Sequence, residues 1–187
     1  MPFGYETAWF AVQAQSAESV SQALGVRSAL PASWVAGLTH AVDEGLFVTP
    51  PVDGWVFAVG SDAFQSGDSK RIHELLLQLG EHCGSAFWFA THVRMDLHGW
   101  ACADGRKLVR GYLYDGEEPR VAWEHGDATD AETALGFFVE DPRDTSQDAI
   151  KWWPTPACVL RLAAKWTVDP IDIAGRGQPD VGLLGRL

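Results

Sequence analysis

Cysteine is scarce in this chain, with Cys83, Cys102 and Cys158 the only three in 187 residues and no C-x-x-C pair among them. An odd, scattered set excludes a disulfide framework and fits reduced thiols in a reducing compartment. Basic residues are also few: 14 Lys and Arg stand against 25 Asp and Glu, a formal net charge of −11. A field of that sign repels phosphate backbones, so no nucleic-acid partner is expected. Long apolar runs are missing, and no window approaches the roughly eighteen residues that a membrane span needs. The opening Met-Pro-Phe-Gly-Tyr-Glu lacks a basic start followed by an apolar run, so no secretory signal is expected and the expected compartment is the cytoplasm.

Catalytic signatures are missing too. There is no G-x-S-x-G, no G-x-x-x-x-G-K-S/T, no H-E-x-x-H and no G-x-G-x-x-G following a strand. Gly175-Arg-Gly177 has no helix after it to receive a phosphate. No cofactor is therefore expected, and no catalytic residue is assigned.

The chain is rich in aromatics, with nine Trp and nine Phe. Each such side chain buries about 150–250 Å², enough for these residues to supply much of a core. With 47% apolar and 21% charged residues the composition is that of a globular domain. The length suits one domain, expected over residues 1–174, with a mobile C-terminal tail over 175–187 where glycines replace periodicity.

The periodicities predict an α+β fold. Residues 7–14 are rich in strand formers. Ser16 is a candidate N-cap for a helix carrying Val20, Ala23 and Leu24 and ending at Gly25. Trp34, Leu38 and Val42 suggest a short helix after Pro31. Short strands flank the Pro-Pro-Val-Asp-Gly turn at 50–54. Ile72, Leu75, Leu76 and Leu79 mark an amphipathic helix over 69–82. Four strands follow, at 86–93, 99–103, 107–114 and 120–123, with hairpin signals at Asp104-Gly105 and Asp115-Gly116. They read as an antiparallel meander packed against a few helices. Thr129 with Glu132 makes a capping box, and residues 156–166 carry a helical stripe of Val159, Leu160, Ala163 and Trp166.

Three sets of residues are candidates for function. The segment 115–148 holds eleven of the 25 acids and two bases, a net −9, which suits encounter with a basic protein partner. Its expected contact residues are Glu117, Glu118, Asp141 and Asp144. The bland alternative is a set of solvated turns, which charge runs usually are. The second set is Trp152-Trp153-Pro154. Two adjacent rings in a loop cannot easily face one core, so one is a candidate anchor, although either could instead tuck under the C-terminal helix or stack on a sugar. The third set is His82, His92, Asp96 and His98, metal-ligating types whose spacing matches no finger, ribbon or metalloprotease pattern. Separate core and turn residues are the simpler account of it. Cys83 and Cys102 lack a nucleophile context, and Cys102 in Ala-Cys-Ala reads as a small buried hydrophobe.

The run Gly45-Leu-Phe-Val-Thr-Pro-Pro-Val-Asp-Gly-Trp55, the segment Phe87–Val93 with Gly99-Trp100, and Trp166-Thr-Val-Asp-Pro170 together resemble a group of uncharacterised bacterial proteins from actinobacteria and proteobacteria. The resemblance spans residues 5–173. Its motifs are turns, strand aromatics and a helix end, so it implies a fold and brings no catalytic residues. Small acidic proteins of this kind are often immunity proteins that neutralise a toxin, an analogy of size and charge alone. The expected function is thus a non-enzymatic binding protein, an antitoxin or immunity partner that covers a basic toxin domain with its acidic face. A small metal-dependent enzyme built on the His82–His98 region and a carbohydrate- or ligand-binding module remain the alternatives. The oligomeric state stays open.

Overall fold

The computed structural model describes residues 6–43, 45–61, 68–139, 152–175 and 181–187. Among these the elements run β1 (Glu6–Gln13), α1 (Ala17–Leu24), β2 (Arg27–Ser33), α2 (Trp34–Asp43), β3 (Leu46–Val48), β4 (Trp55–Val59), α3 (Ser69–Cys83), β5 (Ser85–His92), β6 (Leu97–Asp104), β7 (Lys107–Asp115), β8 (Arg120–His125), α4 (Asp130–Ala134), α5 (Pro156–Trp166), α6 (Pro170–Gly175) and β9 (Val181–Arg186). The strands form one antiparallel sheet in the order β2-β9-β3-β4-β1-β5-β6-β7-β8. The expected α+β domain with an antiparallel meander is what the chain adopts, and the meander is β5 to β8.

Helices cover both faces of the sheet, which explains why the first strand reads as a continuous apolar run rather than an alternation. Ala8, Phe10 and Val12 of β1 join Val20 and Leu24 of α1 and Ile72, Leu75, Leu76 and Leu79 of α3 in one core. Trp9 and Ala11 point the other way, into a second core with Phe89, Trp100, Tyr112 and the α5 residues Val159, Leu160, Leu162 and Ala163. The helix ends follow from local chemistry. The Ser16 hydroxyl accepts from the Ser19 N–H at 3.2 Å, and Asp68 accepts from Arg71 N–H at 3.2 Å. Gly25 takes the left-handed conformation (φ 71°) that closes α1.

Three elements depart from the sequence expectation. β2 contains Pro31, and it is tolerated because β2 is an edge strand. α6 is a short helix in a stretch without clear periodicity. The tail expected to be mobile over 175–187 is corrected at Val181–Arg186, which form β9 between β2 and β3. Its glycines allow that close insertion: a β-carbon on Gly185 would stand 2.7 Å from the Arg27 carbonyl oxygen. Among the described residues no helix is long and apolar enough to cross a membrane.

Candidate functional site

The acidic segment begins at one end of the sheet. Asp115 closes β7, residues 116–119 turn, and Arg120 opens β8, the edge strand. The Asp115 carboxylate accepts from the Glu117 N–H at 3.1 Å, which sets the turn. Gly116 N–H donates to the Asp96 carbonyl at 3.1 Å, bringing the β5–β6 turn alongside. Asp96, Asp115, Glu117 and Glu118 therefore gather around Gly116, with Arg120 among them. Arg120 meets Glu118 at 2.8 Å and Asp115 at 3.8 Å, while remaining more than half exposed. Such exposed pairs contribute about 0–1 kcal/mol, so they order the turn without neutralising its face. Asp141 and Asp144, expected to belong to the same face, lie outside the described residues.

The two adjacent tryptophans are divided between core and surface. Trp152 is partly buried, with ring centroids 4.8 Å from Phe138, 5.2 Å from Phe137 and 6.3 Å from Trp100. Trp153 is 44% exposed. It hydrogen-bonds through its side chain to Tyr114, the residue preceding Asp115, and its indole N–H can only donate to the phenol oxygen. Burial raises the Tyr114 pKa, the Asp96 and Asp115 charges push the same way, and the Trp153 hydrogen bond opposes them. One exposed indole is thus fixed at the rim of the acidic turns.

Beneath this rim lies a buried charge network that the sequence did not disclose. One Glu132 carboxylate oxygen accepts from the Trp100 indole N–H at 2.7 Å and from Arg110 Nε at 3.0 Å. The other accepts from the Thr129 N–H and hydroxyl, both at 2.7 Å, completing the capping box of α4. Arg110 also donates to the Gly126 carbonyl at 2.8 Å and to Glu124 at 3.2 Å. Its guanidinium lies over the rings of Tyr112 and Phe138 at 5.5 and 5.3 Å. The capping box was legible, but the burial of its glutamate was not. The available signal was an arginine inside the apolar strand Leu108-Val-Arg-Gly-Tyr112. The network positions the aromatic cluster around Trp152, with Phe138 lying between Arg110 and that indole.

The histidine candidates do not converge. His82 ends α3 next to the start of β5, whereas His92 ends that strand, roughly 23 Å away at about 3.3 Å per residue. On a continuous strand the spacing of His92 and Asp96 would place both on one face. Instead the chain turns through a 3-10 segment at Val93–Met95, and Asp96 takes a left-handed conformation (φ 46°). Asp96 does meet His98, at 3.1 Å from Nε2, and His98 Nδ1 pairs with the Thr91 hydroxyl at 2.9 Å. Carboxylate, imidazole and hydroxyl stand in the order of a nucleophilic triad, but Thr91 is fully buried and offers a substrate no approach. No group of three His, Cys, Asp or Glu among the described residues is arranged to hold a metal ion.

No protein-family model, curated protein or solved structure matches this chain.

Proposed function

We propose that this protein binds a basic protein partner through the end of the sheet formed by the β5–β6 and β7–β8 turns. The observation that carries the reading is the position of Trp153, an exposed indole hydrogen-bonded to Tyr114 at the edge of Asp96, Asp115, Glu117 and Glu118. Surface acids accelerate encounter with a cationic face, and an aromatic anchor that becomes desolvated slows dissociation. Its hydrogen bond to Tyr114 holds Trp153 in place, so it loses little freedom on docking. The role proposed for this binding is that of an immunity or antitoxin protein that covers a basic cleft of a cognate toxin. The analogy of size and charge suggests that role, and the acidic, aromatic rim supplies its chemistry.

The test uses the full chain to capture its partner from the source cell, followed by association kinetics with that partner at several salt concentrations. Glu117→Lys with Glu118→Lys should slow association about tenfold at low salt and flatten its salt dependence. Trp153→Ala should instead speed dissociation. A partner whose kinetics ignore salt and all three substitutions would sink the reading.

A further inference from the structure

A second opening lies at the opposite end of the strands from the acidic turns. Gln13 pairs with Trp55 across β1 and β4, and Ser85 starts β5 beside them, whereas Asp115 pairs with Leu97 at the far end of β6. Here the half-buried rings of Trp55, Phe87 and Trp166 form a row, with Phe87 5.8 Å from each tryptophan at 59° and 43°. With Gln13, Ser85 and Cys83 they line a cavity of about 400 Å³. Gln13 and Cys83 also line an adjoining cavity of about 510 Å³, whose other polar walls are Gln15, Ser19, Gln22 and His82. The two cavities adjoin at these residues, and the aromatic one is a cleft of a size that small ligands occupy.

The lining of this cleft differs from the rest of the molecule. In a chain of net charge −11, no Asp, Glu, Lys or Arg among the described residues lines either cavity. Phosphorylated or carboxylated ligands would find no compensating charge there. The polar groups are instead amides and hydroxyls, which both donate and accept, as the hydroxyls of a sugar do. His82 Nδ1 donates to the Gln78 carbonyl at 2.8 Å, which fixes the ring's orientation at the wall of the adjoining cavity. The aromatic faces carry negative electrostatic potential and attract the weakly positive C–H bonds of an apolar sugar face. Burial raises the Cys83 thiol and keeps it protonated, so the site is suited to binding rather than attack.

We propose that this cleft binds a neutral pyranose, stacked on the Trp55 and Trp166 indoles and hydrogen-bonded through its hydroxyls to Gln13 and Ser85. The site is independent of the partner-binding face. It is tested by saturation-transfer NMR and calorimetry on the full chain with methyl glycosides of glucose, galactose, mannose and N-acetylglucosamine. At least one should bind saturably in the millimolar range. Trp55→Ala should weaken it about tenfold, and the exposed substitutions Gln13→Ala and Ser85→Ala, which leave the core untouched, about threefold each. Trp153→Ala and Glu117→Lys should leave sugar binding unchanged. The proposal is overturned by no saturable signal up to about 50 mM, by affinity indifferent to the Gln13 and Ser85 substitutions, or by preference for a sugar phosphate or a flat nucleoside.

Discussion

Arg110 and Glu132 form an ion pair at 3.0 Å with both side chains shut off from solvent, although 22 residues separate them and one lies on a strand and the other on a helix. Burying two charges is costly, and here the cost is offset by dense hydrogen bonding. Glu132 accepts four bonds, and Arg110 donates into the 124–126 turn as well as to the carboxylate. The pair therefore fixes α4 against the sheet in one arrangement. Removing one partner strands the other charge. Arg110→Met or Glu132→Leu alone should destabilise the protein by about 3–5 kcal/mol. The double substitution should cost less than the sum of the two, because no charge is then left unpaired. Urea unfolding of the four proteins measures both quantities.

His98 gives the protein an acid-sensitive element. Burial lowers its pKa below the usual 6.5, while Asp96 partly opposes the shift. A base with a lowered folded pKa takes up its proton more readily when unfolded. Stability from this residue is therefore complete above the unfolded pKa and declines as pH falls below about 6.5, until the folded pKa is reached. The urea midpoint of the wild type should fall between pH 7.5 and 5.5. His98→Gln should be less stable at pH 7.5, through its lost packing, and should show a shallower fall over the same window. Equal slopes in the two proteins would show that His98 is not the titrating group.

The cysteines should react in a defined order. Burial pushes the Cys102 pKa up to about 11, with the nearby Glu132 charge raising it and Arg110 opposing. The thiolate is the reactive form, so at pH 8 Cys102 is both protonated and covered. Iodoacetamide should leave it unmodified in the native protein and alkylate it in urea. Cys83, partly exposed but also raised by burial, should react more slowly than an unfolded control. Peptide mass spectrometry after timed quenching reads both rates.

Legibility in the sequence followed the range of the interactions. The β5–β8 meander was visible because its partners are sequence neighbours and its last two connections are the Asp-Gly turns at 104–105 and 115–116, and α3 because Ile72, Leu75, Leu76 and Leu79 keep helical spacing. β2 and β9 pair with each other across some 150 residues, and neither alternates clearly: one carries Pro31, the other Gly182 and Gly185. Their strand character is imposed by the sheet they enter rather than by propensity. The site divides the same way. The acids of 115–118 stood out as a charge run. Asp96 read as a metal candidate, because its proximity to Gly116 depends on a left-handed turn that spacing does not reveal. Pairing of Arg110 with Glu132 had no local signal beyond a charge placed in an apolar strand.

The neighbouring indoles provide a direct test of the division between core and rim. Trp152 sits among Trp100, Phe137 and Phe138, and truncating a packed tryptophan removes its contacts and leaves a cavity. Trp152→Ala should cost about 3–5 kcal/mol. At about 2–4 °C per kcal/mol for a chain of this size, the melting temperature should fall by roughly 6–20 °C. Trp153 is 44% exposed and is tied to the fold through its hydrogen bond to Tyr114. Its replacement by alanine should cost about 0.5–1.5 kcal/mol, the usual worth of one such bond. If the rim is where a partner docks, the cheaper substitution must do the greater harm to binding. Thermal unfolding and partner dissociation rates measured on both variants should therefore rank them in opposite orders. A matching order would mean that Trp153 acts through the fold alone.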